Sequence, residues 1–126
     1  MSMRTPLKNV RRLGSAKEGA DHFWQQRVTA VANIFLGLFF VWLIANTSGQ
    51  EYEVVKGWLA NPLVAISLLL MISSGMYHMR LGMQVIIEDY VDAESIKIVL
   101  LMLNTFFAIA VGLASAFAIF KINFGA

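Results

Sequence analysis

The sequence contains no cysteine and only two histidines. The absence of cysteine excludes disulfides, zinc thiolates, iron–sulfur ligation and a cysteine nucleophile within this chain. Any redox cofactor must therefore use other ligands. Charge is also scarce, because Asp, Glu, Lys and Arg together make up only 14% of the 126 residues.

Apolar residues, by contrast, make up 58% of the chain, and the mean hydropathy is +0.65. This composition is too apolar for a soluble domain of this size and predicts an integral membrane protein. The formal net charge is +2, and five of the ten Lys and Arg residues lie in the first seventeen positions. That clustering indicates a membrane-orientation signal and not a nucleic-acid-binding patch.

The apolar runs predict an all-α protein with three transmembrane helices in a single domain, 1–126. Each run is long enough to cross a hydrocarbon layer of about 30 Å once its flanks are included. The connection at 46–61 is predicted to be a short loop with an interfacial Trp58, and Pro62 is typical of a helix start. The predicted helices cover about 27–46, 62–91 and 94–121.

The segment 1–26 is predicted to be a polar, basic arm that ends in the interfacial pair Phe23 and Trp24. A secretory signal fits poorly, because the apolar run begins only at Val28 and is longer than a usual signal core. A short mitochondrial presequence remains an alternative. The bacterial inner membrane is the expected location, with the mitochondrial inner membrane as the alternative.

The distribution of Lys and Arg predicts the direction of the chain. Three helices joined by short connections must alternate in direction, and basic residues favour the cytoplasmic or matrix side. The N-terminus is therefore predicted to lie inside and the C-terminus outside. Lys56 and Lys121 lie on the predicted outer side. The basic residues on the predicted inner side are Arg4, Lys8, Arg11, Arg12, Lys17, Arg27 and Lys97.

The stretch 73–92 contains a histidine, His78, inside an apolar run. An ionisable group there is costly and usually functional. At about 100° per residue, Gly75, Gly82 and Asp89 all fall within about 60° of His78 on one helix face. His78 then lies about 16 Å from Asp89 along the axis, near mid-depth. A buried imidazole flanked by glycines predicts a site for a flat cofactor.

His78 is the candidate axial ligand of a haem iron, because neutral imidazole suits iron and a tetrapyrrole needs open surface beside its ligand. The alternative is a neutral imidazole that only bonds a carbonyl or a hydroxyl. Because His22 lies in the polar arm, the chain offers one such histidine. A six-coordinate haem would need its second ligand from another protein chain.

Further candidates lie around this stretch. Arg27 could bind carboxylates such as haem propionates through its guanidinium, or it could be a snorkelling anchor. Arg80 points about 200° away from His78, so it either snorkels or meets a partner protein. Asp89 and Tyr90 offer an acceptor and a donor at the membrane boundary. They suit quinone reduction, although acids and tyrosines are also common there for other reasons.

Small and polar residues recur at spacings of three and four in the third predicted helix, with a shorter series, Asn33 and Gly37, in the first. Such series let helices approach closely in lipid, so generic packing is the favoured interpretation over a cofactor role. The series in the third helix consists of Asn104, Ala108, Gly112, Ser115 and Ala116.

The order of these motifs resembles the smaller of the two membrane anchors of succinate dehydrogenase, which is respiratory complex II. The resemblance is carried by His78-x-x-x-Gly82, by Asp89-Tyr90-Val91 and by the segment from Gln26 to Ala30 that opens the first helix. It covers nearly the whole chain. The basic arm with the segment from Gly14 to Gly19 looks most like alphaproteobacterial anchors.

The resemblance implies a membrane anchor without succinate chemistry of its own, which holds a flavoprotein subunit and an iron–sulfur subunit at the membrane. It implies that His78 is the axial ligand of haem b and that Arg27 lies near the haem propionates. Tyr90 and Asp89 would contribute to a ubiquinone site. The larger companion anchor would supply the second histidine. The alternatives are an anchor of another quinone-linked reductase, such as fumarate reductase, and a haem-free structural or transport protein with three spans.

Overall fold

The computed structural model describes residues 19–125, and within that range all regular structure is helical. Three helices are long and apolar enough to cross a membrane, with mean hydropathies of 2.3, 1.5 and 2.2 in chain order. The predicted all-α fold with three spans is therefore confirmed. The helices are α1 (Gly19–Thr47), α2 (Tyr52–Leu59), α3 (Pro62–Tyr90) and α4 (Glu94–Phe124).

The predicted start of the first helix and the predicted loop at 46–61 both need correction. Helix α1 begins at Gly19, before the predicted start near residue 27, so Phe23 and Trp24 lie on the helix itself. The rest of the predicted arm, 1–18, lies outside the described residues. The connection at 46–61 is not simply a loop, because it contains the short helix α2.

Helix α2 forms because the turn after α1 is short and the following apolar residues have a helical spacing. Gly49 takes a φ of 76°, a left-handed conformation that glycine adopts without steric cost. Trp58 then packs against a buried cluster of Leu43, Val64 and Leu68, with its ring centroid 5.6 Å from that of Trp42. These contacts fold α2 back over the two helix ends that it connects.

Helix α3 is the centre of the fold. It packs against both α1 and α4, whereas no backbone contact joins α1 to α4 among the described residues. Its start is fixed locally, because the side chain of Asn61 accepts a hydrogen bond of 2.9 Å from the Leu63 amide and Pro62 occupies the first turn. Helix α3 therefore contacts α1 and α4 along its length and α2 near its start.

The polar series of α4 lies against α3, as the packing interpretation expects. Ala108 is buried, and a Cβ added at Gly112 would lie 3.6 Å from Met76 Cγ. The Asn104 side chain donates a hydrogen bond of 2.9 Å to the Arg80 carbonyl. Small residues thus let the two helices approach, and a hydrogen bond from the Asn104 side chain joins them.

Arg80 finds a partner on α4. Its Nε donates a hydrogen bond of 3.2 Å to Thr105 Oγ1, and its side chain is half-buried. The predicted direction, about 200° from His78, agrees with this placement. The Arg80 Nε thus has a partner within the chain, whereas snorkelling or a contact of the guanidinium with a partner protein stays a prediction.

Few residues are buried in the bundle, and most large apolar side chains face outward. Leu38, Leu113 and Phe117 are each 65% to 68% exposed. Such an apolar surface is stable only when lipid or other helices cover it. The buried residues of the described range are Leu43, Val64, Ala65, Leu68, Leu81, Ile87 and Ala108.

Candidate functional site

His78 lies near the middle of α3 and faces α1. Its Nδ1 is 3.0 Å from the hydroxyl oxygen of Thr29, and the side chain is half-buried. Its Nε2 makes no hydrogen bond to any of the described residues and is not among the buried atoms that lack a partner. The imidazole is therefore held at one nitrogen while the other is available to a ligand.

The two glycines beside His78 have different surroundings. A Cβ at Gly82 would lie 3.8 Å from Gln26 Nε2, so α1 covers this position. A Cβ at Gly75 would meet no atom within 4 Å. The open surface that a flat cofactor needs therefore lies on the Gly75 side of His78, whereas Gly82 permits the close approach of α1.

Three buried polar atoms in the described range lack a hydrogen-bond partner: His22 Nε2, Asn33 Oδ1 and Ser74 Oγ. Asn33 lies one turn from Thr29 on α1, and Ser74 lies one turn from His78 on α3, so both are at the level of the imidazole or just beyond it. An unpaired buried polar atom costs about 1–3 kcal/mol. These atoms fit a site that is completed by a further polar group from a cofactor, a partner chain or water.

Sequence reasoning missed this side of the site. It assigned His22 to a polar arm, but the structure places His22 on α1 with a half-buried side chain. Thr29 was not identified as a contact of His78. The available signal was the spacing of four, three and four that joins His22, Gln26, Thr29 and Asn33 on one face of a helix.

The structure does not bring Arg27 to His78. Arg27 is exposed, and its guanidinium carbon lies 5.1 Å from the centroid of the Phe23 ring. The two-residue step from Arg27 to Thr29 is about 200° around α1, so Arg27 points away from the α3 interface. Its distance from Thr29 along the axis is only about 3 Å. Arg27 therefore lies close to the level of His78 but faces a different side of the bundle.

Asp89 and Tyr90 end α3 and are both exposed, Tyr90 to 82%. Neither side chain forms a hydrogen bond with another described residue. The helix end is nevertheless ordered by its neighbours, because Lys97 Nζ on α4 donates a 3.1 Å hydrogen bond to the Glu88 carbonyl. The Tyr90 hydroxyl and the Asp89 carboxylate are thus presented to whatever covers this end of the bundle.

The residues present fit a haem ligated by His78. The imidazole is fixed at Nδ1, its Nε2 is available, and unpaired buried polar atoms lie one helical turn from Thr29 on α1 and from His78 on α3. Neutral imidazole is a common iron ligand in proteins. Arg27 is exposed at nearly the same level, where a guanidinium could bind carboxylates of a group that extends beyond α1.

Known proteins resemble this chain over most of its length. Residues 1–117 match the family of the succinate dehydrogenase/fumarate reductase transmembrane subunit. The succinate dehydrogenase hydrophobic membrane anchor subunit of Paracoccus denitrificans is 31% identical, over 97% of this chain and 94% of that protein. The subunits of the same name from Rickettsia conorii and Rickettsia bellii are 32% and 29% identical, each over 93% of this chain and 94% of the relative.

These matches confirm the resemblance that the sequence motifs indicated. The three apolar helices fit a multi-pass protein of the bacterial inner membrane, in agreement with the bacterial membrane anchor subunits among the relatives. The match to the family extends from the basic segment through all of α1 and α3 and into most of α4. The chain belongs to the succinate dehydrogenase/fumarate reductase transmembrane subunit family.

Proposed function

We propose that this chain is the hydrophobic anchor that holds the flavoprotein and iron–sulfur subunits of a succinate:ubiquinone oxidoreductase at the membrane. Together with the larger companion anchor, it contributes to binding haem b and ubiquinone. The observation that carries this proposal is His78, a half-buried histidine on a membrane-spanning helix with Nδ1 bonded and Nε2 available. Membership of the succinate dehydrogenase/fumarate reductase transmembrane subunit family supports the proposal, because a haem ligand on such a subunit would serve electron transfer in the complex.

In this proposal, His78 Nε2 would bind the haem iron, and the companion anchor would supply a further ligand. The bound haem supplies one-electron redox chemistry. Arg27 binds a propionate, since a guanidinium offers a bidentate set of donors to a carboxylate. The outward direction of Arg27 supports a haem that lies at the junction with the companion anchor rather than wholly within this chain.

The quinone site is proposed at the end of α3. Tyr90 donates a hydrogen bond to a quinone carbonyl, and Asp89 accepts protons near the water boundary. Both side chains are exposed at this end, so a partner protein can cover them and exclude water around the headgroup. A donor aimed at a carbonyl that gains negative charge stabilises the reduced state and the transition state that leads to it.

The proposal predicts what gently solubilised membranes will yield. Affinity purification through this chain should recover the flavoprotein, the iron–sulfur protein and the companion anchor, with the absorbance of a low-spin b-type haem. The subunits should be recovered together because the chain alone has a small buried core and leaves most of its large apolar side chains exposed. A stable monomer with a full complement of haem would contradict the shared site, and a preparation with neither haem nor soluble partners would favour the haem-free structural alternative.

The chain is proposed to run with its N-terminus inside and its C-terminus outside. The bias of basic residues toward the N-terminal side supports this direction. A periplasm-dependent reporter, such as alkaline phosphatase, should therefore be active when fused after Ala126. The same reporter fused within the α3–α4 connection, at Asp92, should be inactive. The reverse pattern would contradict the proposed direction and would place Tyr90 on the outer side.

A further inference from the structure

We propose that Thr29 is a positioning residue for the haem ligand: its hydroxyl fixes the tautomer of His78 and tunes the iron that His78 binds. The inference rests on the proposed function, because it takes His78 as the ligand. Its basis is the geometry of the hydrogen bonds around the Thr29 hydroxyl, which lies between α1 and α3. Both residues lie in segments that indicated the family, but the sequence alone gave Thr29 no role and did not show the contact.

Three groups surround the Thr29 hydroxyl oxygen. The Gln25 carbonyl oxygen lies 2.8 Å away, the Gln26 carbonyl oxygen 3.1 Å away and His78 Nδ1 3.0 Å away. Both carbonyl oxygens can only accept a hydrogen bond, and the hydroxyl has one hydrogen to donate. A 2.8 Å approach of two oxygens without a hydrogen between them is repulsive. The Thr29 hydrogen therefore points to a carbonyl of its own helix.

The direction of that hydrogen decides the state of the imidazole. Since the hydroxyl donates to the carbonyl, only its lone pairs remain for His78, and Nδ1 must carry the hydrogen that joins them. In a neutral imidazole with the hydrogen on Nδ1, the lone pair is on Nε2. Nε2 is also the nitrogen without a hydrogen bond to any described residue. The cross-helix contact thus prepares the ligating nitrogen before any metal arrives.

The same bond affects the bound iron. Ligating histidines typically donate their second N–H to an acceptor, which fixes the ring orientation and raises the basicity of the ligand. Here the acceptor is a hydroxyl that is itself polarised by donating to a carbonyl, and bonds in such a chain strengthen one another. A more basic imidazole stabilises the oxidised iron relative to the reduced iron. Thr29 should therefore hold the haem midpoint potential below the value it would have without the bond.

The test uses two variants of Thr29 in the intact complex. Thr29→Val keeps the branched shape and removes the acceptor, whereas Thr29→Ser keeps the hydroxyl. The Val variant should shift the midpoint potential of the haem to a more positive value and alter the electron paramagnetic resonance signal of the ferric haem. It should also retain haem about 10- to 100-fold less tightly in transfer to an apo-globin. The Ser variant should restore all three measurements toward wild type.

Thr47→Val is the matched control, because the Thr47 hydroxyl donates a 2.8 Å bond to the Leu43 carbonyl on the same helix but contacts no histidine. It should leave the potential and the signal unchanged. A fully haem-loaded Thr29→Val complex with wild-type potential and spectrum would overturn the inference, and so would haem loss in both Thr29 variants, since Ser retains the acceptor. A wild-type complex without haem would instead refute the haem assignment of the proposed function.

Discussion

Replacing Tyr90 with Phe should lower quinone reductase activity by about 10- to 1,000-fold, the range expected when one positioned donor to a developing negative charge is removed. The Phe side chain keeps the aromatic ring, so any loss of activity can be attributed to the missing hydroxyl. Tyr90 is 82% exposed at the end of α3, and its hydroxyl makes no hydrogen bond to another described residue. The substitution therefore removes the hydroxyl without breaking a hydrogen bond to another described residue.

The measurement compares two electron acceptors in the same membranes. Ubiquinone reduction should fall, while succinate oxidation by an artificial acceptor that takes electrons from the soluble subunits should persist. Tyr52→Phe is the matched control, because Tyr52 is also exposed but lies on α2 at the opposite end of the bundle. Loss of both activities in Tyr90→Phe would show that Tyr90 holds the assembly together instead. Wild-type ubiquinone reduction would remove Tyr90 from the site.

Replacing His78 with Ala should abolish the low-spin haem spectrum or convert it to a high-spin one. If His78 ligates the haem iron as proposed, its removal would leave the iron with only the ligand that the companion anchor is proposed to supply. Assembly of the complex is a separate matter, since in the proposed complex the companion anchor would retain its own half of the pocket. The visible spectrum and the polypeptide composition should therefore be measured on the same purified sample.

His22 provides the comparison for this experiment, because it is the other histidine of the chain. It lies on the same face of α1 as Thr29, at a distance of about 10 Å along the axis. His22→Ala should leave the low-spin spectrum in place. If His22→Ala removes that spectrum while His78→Ala preserves it, the axial ligand is His22 and the assignment of His78 is wrong.

The sequence by itself determined the three spans and the family, and it indicated the residues that we propose for the chemistry. The reason is that lipid is an apolar solvent, so each spanning run must be apolar along its length, and every polar exception stands out. His78 was visible as such an exception. Asp89 and Tyr90 were visible because they end a span. The direction of Arg80 also followed from the sequence, since the angle between two residues on one helix depends only on the helical repeat.

Only the tertiary structure decided which residues of different helices meet. Contacts between helices depend on the register and rotation of one helix against another. Examples are the hydrogen bonds between Thr29 and His78 and between Arg80 and Thr105, and the packing of Gln26 against Gly82. That register is set by the packing of small side chains and a few polar bonds, which no single run of sequence encodes. The helical spacing of the apolar residues of α2 was present in the sequence, but the contacts of Trp58 with α1 and α3 that stabilise this short helix were not.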